Sequence, residues 1–366
     1  MGAAKKRAGL GRGAVRSVTL AAAWAVLSGC YLTTQAGSFL AMRASARSVK
    51  GLLGDSGVSG KTRDFLALAE DIKAFGVEHA GLSRGKNFST YIALERDYVA
   101  LVIQAAPALS LEPWTWRYPF VGRLPYKGFF RRDDAEAEVK RLEAKNLDVV
   151  LRRVDAFSTL GFFTDPLYSF MEDYSEYELA RLILHEETHA RVFVKNHADF
   201  NEEFASFVGD TAALLYIEDR YGREAAGETA ERRIAAAGDA ETFRKDMSAL
   251  ADLLREVYSS PLLSEDEKLG RKKSVIESFK TRFAQSYSTR YKTKNYESLP
   301  ERGVNNGFIS LYLLYGEHRN RFAELYESYG GDLAAFVSDV AGAVKKAKDP
   351  WAALEKLRMQ GQAEKK

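Results

Sequence analysis

Cysteine is almost absent: a single residue, Cys30, stands in a chain of 366, so no disulfide can form within it. Proline is sparse as well, with 8 residues, and neither a low-complexity linker nor an internal repeat interrupts the chain. One globular unit is therefore the economical organisation. Past the amino terminus no apolar run reaches the roughly 20 residues a helix needs to cross a bilayer. Neither sign of charge dominates: 53 Lys and Arg stand against 50 Asp and Glu, without the basic excess of a nucleic-acid binder. Histidine is scarce too, at 5 residues, so a pattern that uses two of them carries weight. An apolar fraction of 46% is ordinary for a globular protein.

The amino terminus has its own texture. Lys5, Lys6, Arg7, Arg12 and Arg16 precede an apolar run from Val18 to Leu27, and Leu27-Ser28-Gly29-Cys30 follows. A basic region, a short apolar stretch and small residues before a cysteine have the form of a bacterial lipoprotein signal peptide, residues 1–29, with Cys30 as the lipidated first residue of the mature chain. The plainer reading of Cys30 is a lone buried or reactive thiol. Acyl chains on Cys30 would tie residues 30–366 to a lipid membrane, in the bacterial cell envelope. Tyr31, rather than an aspartate that signals inner-membrane retention, follows Cys30. The outer membrane, on its periplasmic face, is the preferred destination. Loss of residues 1–29 removes five positive charges and no acidic one, moving the formal net charge from +3 to about −2.

Two of the five histidines lie in His185-Glu186-Glu187-Thr188-His189, the HExxH pattern of zinc hydrolases. Residues four apart on a helix lie about 40° apart on one face, so both imidazoles can ligate one ion with Glu186 beside it. Glu178 to Leu184 are mostly good helix formers with apolar residues at helical spacing, which predicts the helix this chemistry needs. A catalytic zinc takes three protein ligands and leaves a fourth position for water. His197 and Glu202 are the downstream candidates for the third. Val192 and Lys195 occupy the positions where a metzincin has glycine and a third histidine. Asn201-Glu202-Glu203-Phe204-Ala205 resembles the Asn-Glu-x-x-Ala stretch with which gluzincins present a glutamate ligand from a second helix. Asn196 or Asp199 is placed to cap that helix, Phe204, Phe207, Val208, Leu214 and Leu215 read as its buried face, and the small Ala205 and Gly209 allow a close helix pair. Zn2+ on His185, His189 and Glu202 would activate water and polarise a carbonyl, with Glu186 as general base, so the expected reaction is hydrolysis of a peptide substrate. The plainer reading leaves both histidines as hydrogen-bonded helix residues, Glu187 and Glu203 as solvated or supporting carboxylates, and His197 as a turn residue.

Elsewhere the pattern predicts helices over Gly37 to Leu53, Lys61 to Phe75, Asp133 to Lys145, Glu224 to Ser259 and Ser264 to Tyr291, and a strand over Leu147 to Val154. Tyr91 to Gln104 fits helix or strand equally, and the aromatic-rich Trp114 to Phe130 reads as extended segments with turns. Ser158, Thr159, Leu160, Gly161 and Phe162, upstream of the metal helix, are the candidate edge against which a peptide would lie as an added strand. An ordinary loop packing its phenylalanines is the alternative.

Gly29-Cys30-Tyr31-Leu32, Leu124 to Phe130, Phe157 to Phe162 with Asp165-Pro166, the HExxH helix, Asn201-Glu202 and Asn305-Asn306 together resemble a family of bacterial lipoproteins described as putative aminopeptidases. The resemblance spans nearly the whole mature chain. It implies a zinc-dependent peptidase with His185, His189 and Glu202 as ligands and Glu186 as base. The expected fold is α+β and predominantly α-helical, a zincin-like core with a small sheet and additional helices, in one domain. The chain lacks the Gly-x-Met-Glu-Asn motif with which gluzincin aminopeptidases hold a substrate amino terminus, so trimming from that end is inherited from the family name alone. Tyr312 and Tyr315, near the Asn305-Asn306 helix, are candidates to stabilise the oxyanion, with a core aromatic stripe as the alternative. A different class of function also fits: a zinc-containing envelope lipoprotein that binds peptide or acts as a scaffold without hydrolysis.

Overall fold

Buried apolar positions at helical spacing dominate the chain, and the computed structural model is accordingly mostly helical, with short strands in an α+β arrangement. It describes residue 31 and residues 33–118, 122–155, 164–313 and 320–363. Residues 1–29, expected as a signal peptide, with Cys30, the proposed edge Ser158 to Phe162, and Tyr315 lie outside the described residues. In chain order the elements are α1 (33–44), β1 (Arg47–Ser48), α2 (Val49–Leu53), α3 (Gly60–His79), β2 (Thr90–Ile92), β3 (Ala100–Pro107), β4 (Trp116–Tyr118), β5 (Gly122–Leu124) and β6 (Lys127–Phe129). There follow α4 (Arg132–Glu143), β7 (Leu147–Val154), β8 (Leu167–Tyr168), α5 (Glu176–Arg191), α6 (Ala198–Ser259), α7 (Glu265–Arg290), α8 (Asn306–Tyr312), α9 (Asn320–Glu327), α10 (Leu333–Val344) and α11 (Pro350–Ala363). No described helix is long and apolar enough to cross a membrane.

The strands form three small sheets where one was expected. β2 lies between antiparallel β1 and parallel β8, β3 lies between antiparallel β6 and β7, and β4 pairs with β5. The ambiguous run from Tyr91 to Gln104 thus holds two strands of different sheets, separated by residues 93–99. The helix expected from Gly37 to Leu53 is interrupted. Ser45 turns its hydroxyl onto the Met42 carbonyl at 2.7 Å, Arg47 and Ser48 pair with Tyr91 and Thr90, and the Ser48 side chain caps a new helix, α2.

Three cores follow from this layout. The largest gathers α3, α5, the first part of α6 and α10, with Leu66, Ile72, Ile183, Leu184, Phe204, Val208 and Phe336 almost fully buried. A second lies between α6, α7 and α8, around Phe243, Leu250, Phe283 and Ile309. The third packs α4 on the central sheet. Side chains alternate along β3, so Leu101, Ile103 and Ala105 meet Ala135 and Leu142 of α4 while Gln104 faces the other way.

α6 serves the first two cores because it is broken once. At Gly222 the backbone has φ +86° and ψ 173°, a conformation reserved for glycine. The helix expected over Glu224 to Ser259 is the part of α6 beyond that break.

The Asn305-Asn306 pair proves to be a latch between α8 and the central sheet. Asn305 caps α8 by accepting from the Phe308 N–H at 2.9 Å and donates to the Val149 carbonyl at 3.0 Å. Asn306 is fully buried; its Nδ2 donates to the carbonyls of Pro107, Ala108 and Ser110, and its Oδ1 accepts from the Tyr258 hydroxyl. Its backbone N–H donates to Asp148, which is also paired with the buried Lys272.

Candidate metal centre

Helix α5 begins with a reciprocal cap. Ser175 Oγ accepts from the Glu178 N–H at 3.3 Å, and the Glu178 carboxylate accepts from the Ser175 N–H at 2.9 Å. Leu179, Ala180, Ile183, Leu184, Glu187 and Thr188 bury one face of the helix, which leaves His185, Glu186 and His189 half-buried on the neighbouring face. The chain then turns back through residues 192–197, with Asn196 in the left-handed region at φ +66°. Neither Asn196 nor Asp199 caps α6: His197 holds the cap position without a side-chain hydrogen bond.

What fixes the turn is Asn201. It is buried, and its side chain brackets Val194, accepting from the N–H at 2.8 Å and donating to the carbonyl at 2.9 Å. The next residue, Glu202, is thereby set facing α5. Seven residues on, a Cβ placed on Gly209 would stand 3.0 Å from both the Arg181 carbonyl oxygen and His185 Cβ. A side chain there would crowd the histidine-bearing turn, so glycine eases the close approach of α6 expected from Ala205 and Gly209.

Three donor atoms converge as a result. His185 Nε2 and His189 Nε2 are 3.2 Å apart, with Glu202 Oε2 3.6 Å from the first and the other carboxylate oxygen, Oε1, 3.5 Å from the second. The nitrogen-to-carboxylate separations exceed those of good N–H···O bonds, which run to about 3.2 Å. They are close to the edge of about 3.3 Å of a tetrahedron whose ligands sit about 2.05 Å from a zinc ion. Two imidazole nitrogens directed at one point also repel unless they share a proton or a cation. The donor set and its spacing therefore fit zinc. Among the described residues this is the group of three donors close enough to hold a metal.

The electrostatics agree with that geometry. The His185 and His189 rings hold the Glu202 carboxyl well below the usual carboxylate range. Burial works against protonation of His189, but Glu202, Glu186 and Asp165 outweigh it and raise its pKa above the ordinary imidazole value. Asp165 is pushed up to about 6 by burial and by Glu186, against the pull of Arg43. Its backbone is clamped: the Phe88 N–H donates to its carbonyl at 2.6 Å, its own N–H donates to Asn87, and Arg43 donates to the adjacent Thr164 carbonyl at 2.7 Å. Asp165 adds a carboxylate to this neighbourhood that its place in a motif did not reveal.

Glu187 points the other way, into the core. Its residue is 3% exposed, neither carboxylate oxygen has a hydrogen-bond partner, and a Cβ on Gly85 would stand 2.7 Å from Oε2. Burial pushes its carboxyl up to about 7. It is a buried acid of the helix interior, not a solvated residue. His197 lies away from the cluster, its Nε2 3.1 Å from the Lys348 carbonyl. Tyr312 is not brought to the cluster either; its ring packs on Phe243 and Phe308 in the second core, as the aromatic-stripe alternative has it.

Two expectations follow. Gly209→Val should force α5 and α6 apart and weaken zinc binding by roughly tenfold or more, whereas Gly238→Ala, where a Cβ meets nothing within 4 Å, should leave it unchanged; competitive zinc titration decides. The second concerns pH. Because the folded Glu187 carboxyl is raised from 4.5 to about 7, the folded state holds a proton that the unfolded state releases, and stability falls as pH rises through that interval. Glu187→Gln removes this loss, so its thermal midpoint relative to wild type should rise between pH 5 and pH 8; equal shifts at both pH values would refute the assignment.

The chain matches the family described as "Putative aminopeptidase" over residues 30–352. No curated protein and no solved structure matches it. With the match covering most of its length, and with the HExxH helix and its converging glutamate inside it, the chain belongs to the putative aminopeptidase family.

Proposed function

We propose that the protein is a zinc-dependent peptidase anchored to the bacterial cell envelope. One observation carries the reading: His185, His189 and Glu202, from two helices, bring three metal-ligating groups within 4.8 Å of one another, with Glu186 next to His185 on the same helix. His185, His189 and Glu202 would hold the ion. When bound, zinc would lower the pKa of a water toward about 7 and polarise the scissile carbonyl. Glu186, half-buried on the same helix face, would take a proton from the attacking water and deliver it to the departing amine. Asp165 beside it would keep the surroundings negative and the proton on the carboxylates until the amine is ready to leave.

β7 is the terminal strand of its sheet, and the chain passes from it through Asp155 towards Ser158, Thr159, Leu160, Gly161 and Phe162. These residues are the proposed edge for pairing with an extended peptide. Membership of the putative aminopeptidase family supports release of amino-terminal residues as the mode of cleavage. Anchoring would come from acylation of Cys30, with the outer membrane as the proposed destination.

Two experiments test this. Wild-type protein should hydrolyse members of a peptide library, lose activity to a chelator and recover it with zinc, while Glu186→Gln should keep its zinc and lose turnover by roughly 100-fold or more. Retained zinc with no hydrolysis by the wild type would favour a scaffolding lipoprotein instead. Cys30→Ser should move the protein from the membrane to the soluble fraction of cells; an unchanged distribution would remove the anchor from the proposal.

A further inference from the structure

A cavity of about 550 Å³ opens on the face of β3 and β7 turned away from α4. Its lining includes Gln104, Val150, Arg152, Arg302, Phe308 and Tyr312, and none of the metal-cluster residues is among its walls. The volume lies within the range of sites that hold small molecules.

Three features give the cavity its chemistry. Among the described residues no carboxylate lies within ion-pairing reach of Arg152 or Arg302, although the adjacent Arg153, on the opposite face of β7, pairs with Asp97. Arg302 is oriented by a bond from its Nε to Ser298 Oγ at 3.2 Å. Gln104 is 7% exposed, and its Oε1 is buried with no hydrogen-bond partner, so the protein leaves an acceptor that a donor from outside would satisfy. Opposite these groups stands an apolar wall. Phe308 and the Tyr312 ring are held 5.3 Å apart, with Phe243 set edge-on behind Tyr312 at 4.8 Å, and Val150 completes the surface.

A ligand that matches all three must carry an anion, a nearby N–H and an apolar side chain. We propose that this cavity binds an apolar amino-acid residue with a free carboxylate: Arg152 and Arg302 take the carboxylate, Gln104 Oε1 accepts from its N–H, and Phe308 with Val150 packs its side chain. Guanidinium groups suit a planar carboxylate because they can donate two parallel N–H bonds to it. The same chemistry is offered by a free amino acid and by the carboxyl end of a short peptide. The peptide source rests on the peptidase reading, whereas the anion site does not.

The test is calorimetric titration of the full chain carrying Glu186→Gln, which removes turnover, with Ala-Ala-Leu, its carboxyl-terminal amide, and leucine. Ala-Ala-Leu should bind one to one. The amide should bind at least roughly tenfold more weakly, as should Ala-Ala-Leu to the double variant Arg152→Gln/Arg302→Gln. Arg152→Lys/Arg302→Lys, which keeps the charge but not the paired donors, should fall between. Binding of leucine as tightly as the peptide identifies the free amino acid as the source, and binding of the peptide alone identifies the peptide end. Equal binding of acid and amide, unchanged binding by the Gln double variant at an unchanged thermal midpoint, or no binding of either ligand would overturn the proposal. Wild-type protein inactive on every peptide, with carboxylate binding intact, would instead overturn the peptidase reading alone.

Discussion

Helices α5 and α6 run so close that a Cβ on Gly209 would stand only 3.0 Å from the Arg181 carbonyl oxygen and His185 Cβ, and the geometry of the metal cluster depends on that contact. Two histidines four residues apart are fixed relative to one another by the helix that carries them. Their distance to a glutamate on a second helix is not fixed by any local rule. It is set by how deeply the second helix can settle against the first, and by the Asn201 bracket on Val194, which fixes where that helix starts. One backbone approach and one side-chain clamp thus convert two sequence motifs into three converging donors.

The cluster and the core treat carboxylates differently. The imidazoles favour negative charge on Glu202, whereas Glu187 of α5 is turned into an apolar interior that disfavours it. A turn of about 100° per residue is enough to set Glu187 into the core while its neighbour Glu186 stays half-buried beside the histidines. Asp165 lies between these extremes, desolvated and close to Glu186, with Arg43 as its counterweight. Asp165-Pro166 therefore places a charge beside Glu186 as well as leading into β8.

Local patterns made much of this legible. The HExxH helix, the partner glutamate and the small residues of α6 all follow rules of spacing that act within one or two turns. What escaped was set by distant partners. Ser45 looks helical until its hydroxyl is seen to serve Met42, and β1 exists because Arg47 and Ser48 find Tyr91 and Thr90. Asn306 gave a motif without a role, since its partners at Pro107, Ala108 and Ser110 come from the far side of the chain. Tyr312 sits on the helix expected of it, yet its surroundings are decided by Phe243, about seventy positions earlier. A buried Glu187 against Gly85 has no signature in the sequence, because desolvation is a property of the packed interior.

The break in α6 at Gly222 has a consequence for how the chain tolerates changes of length. In an unbroken helix each inserted residue rotates everything beyond it by about 100°, so a segment tied down at both ends transmits that rotation from one to the other. A single extended residue interrupts the transmission. The helical phase of Glu202 and Gly209 is set from the Asn201 side and stops at Gly222, while the phase of Phe243 and Leu250 is set against α7 and α8. The two parts of α6 are neighbours in sequence but angularly independent, so insertions beyond the break leave the aim of the glutamate untouched, and insertions between His189 and Asn201 do not.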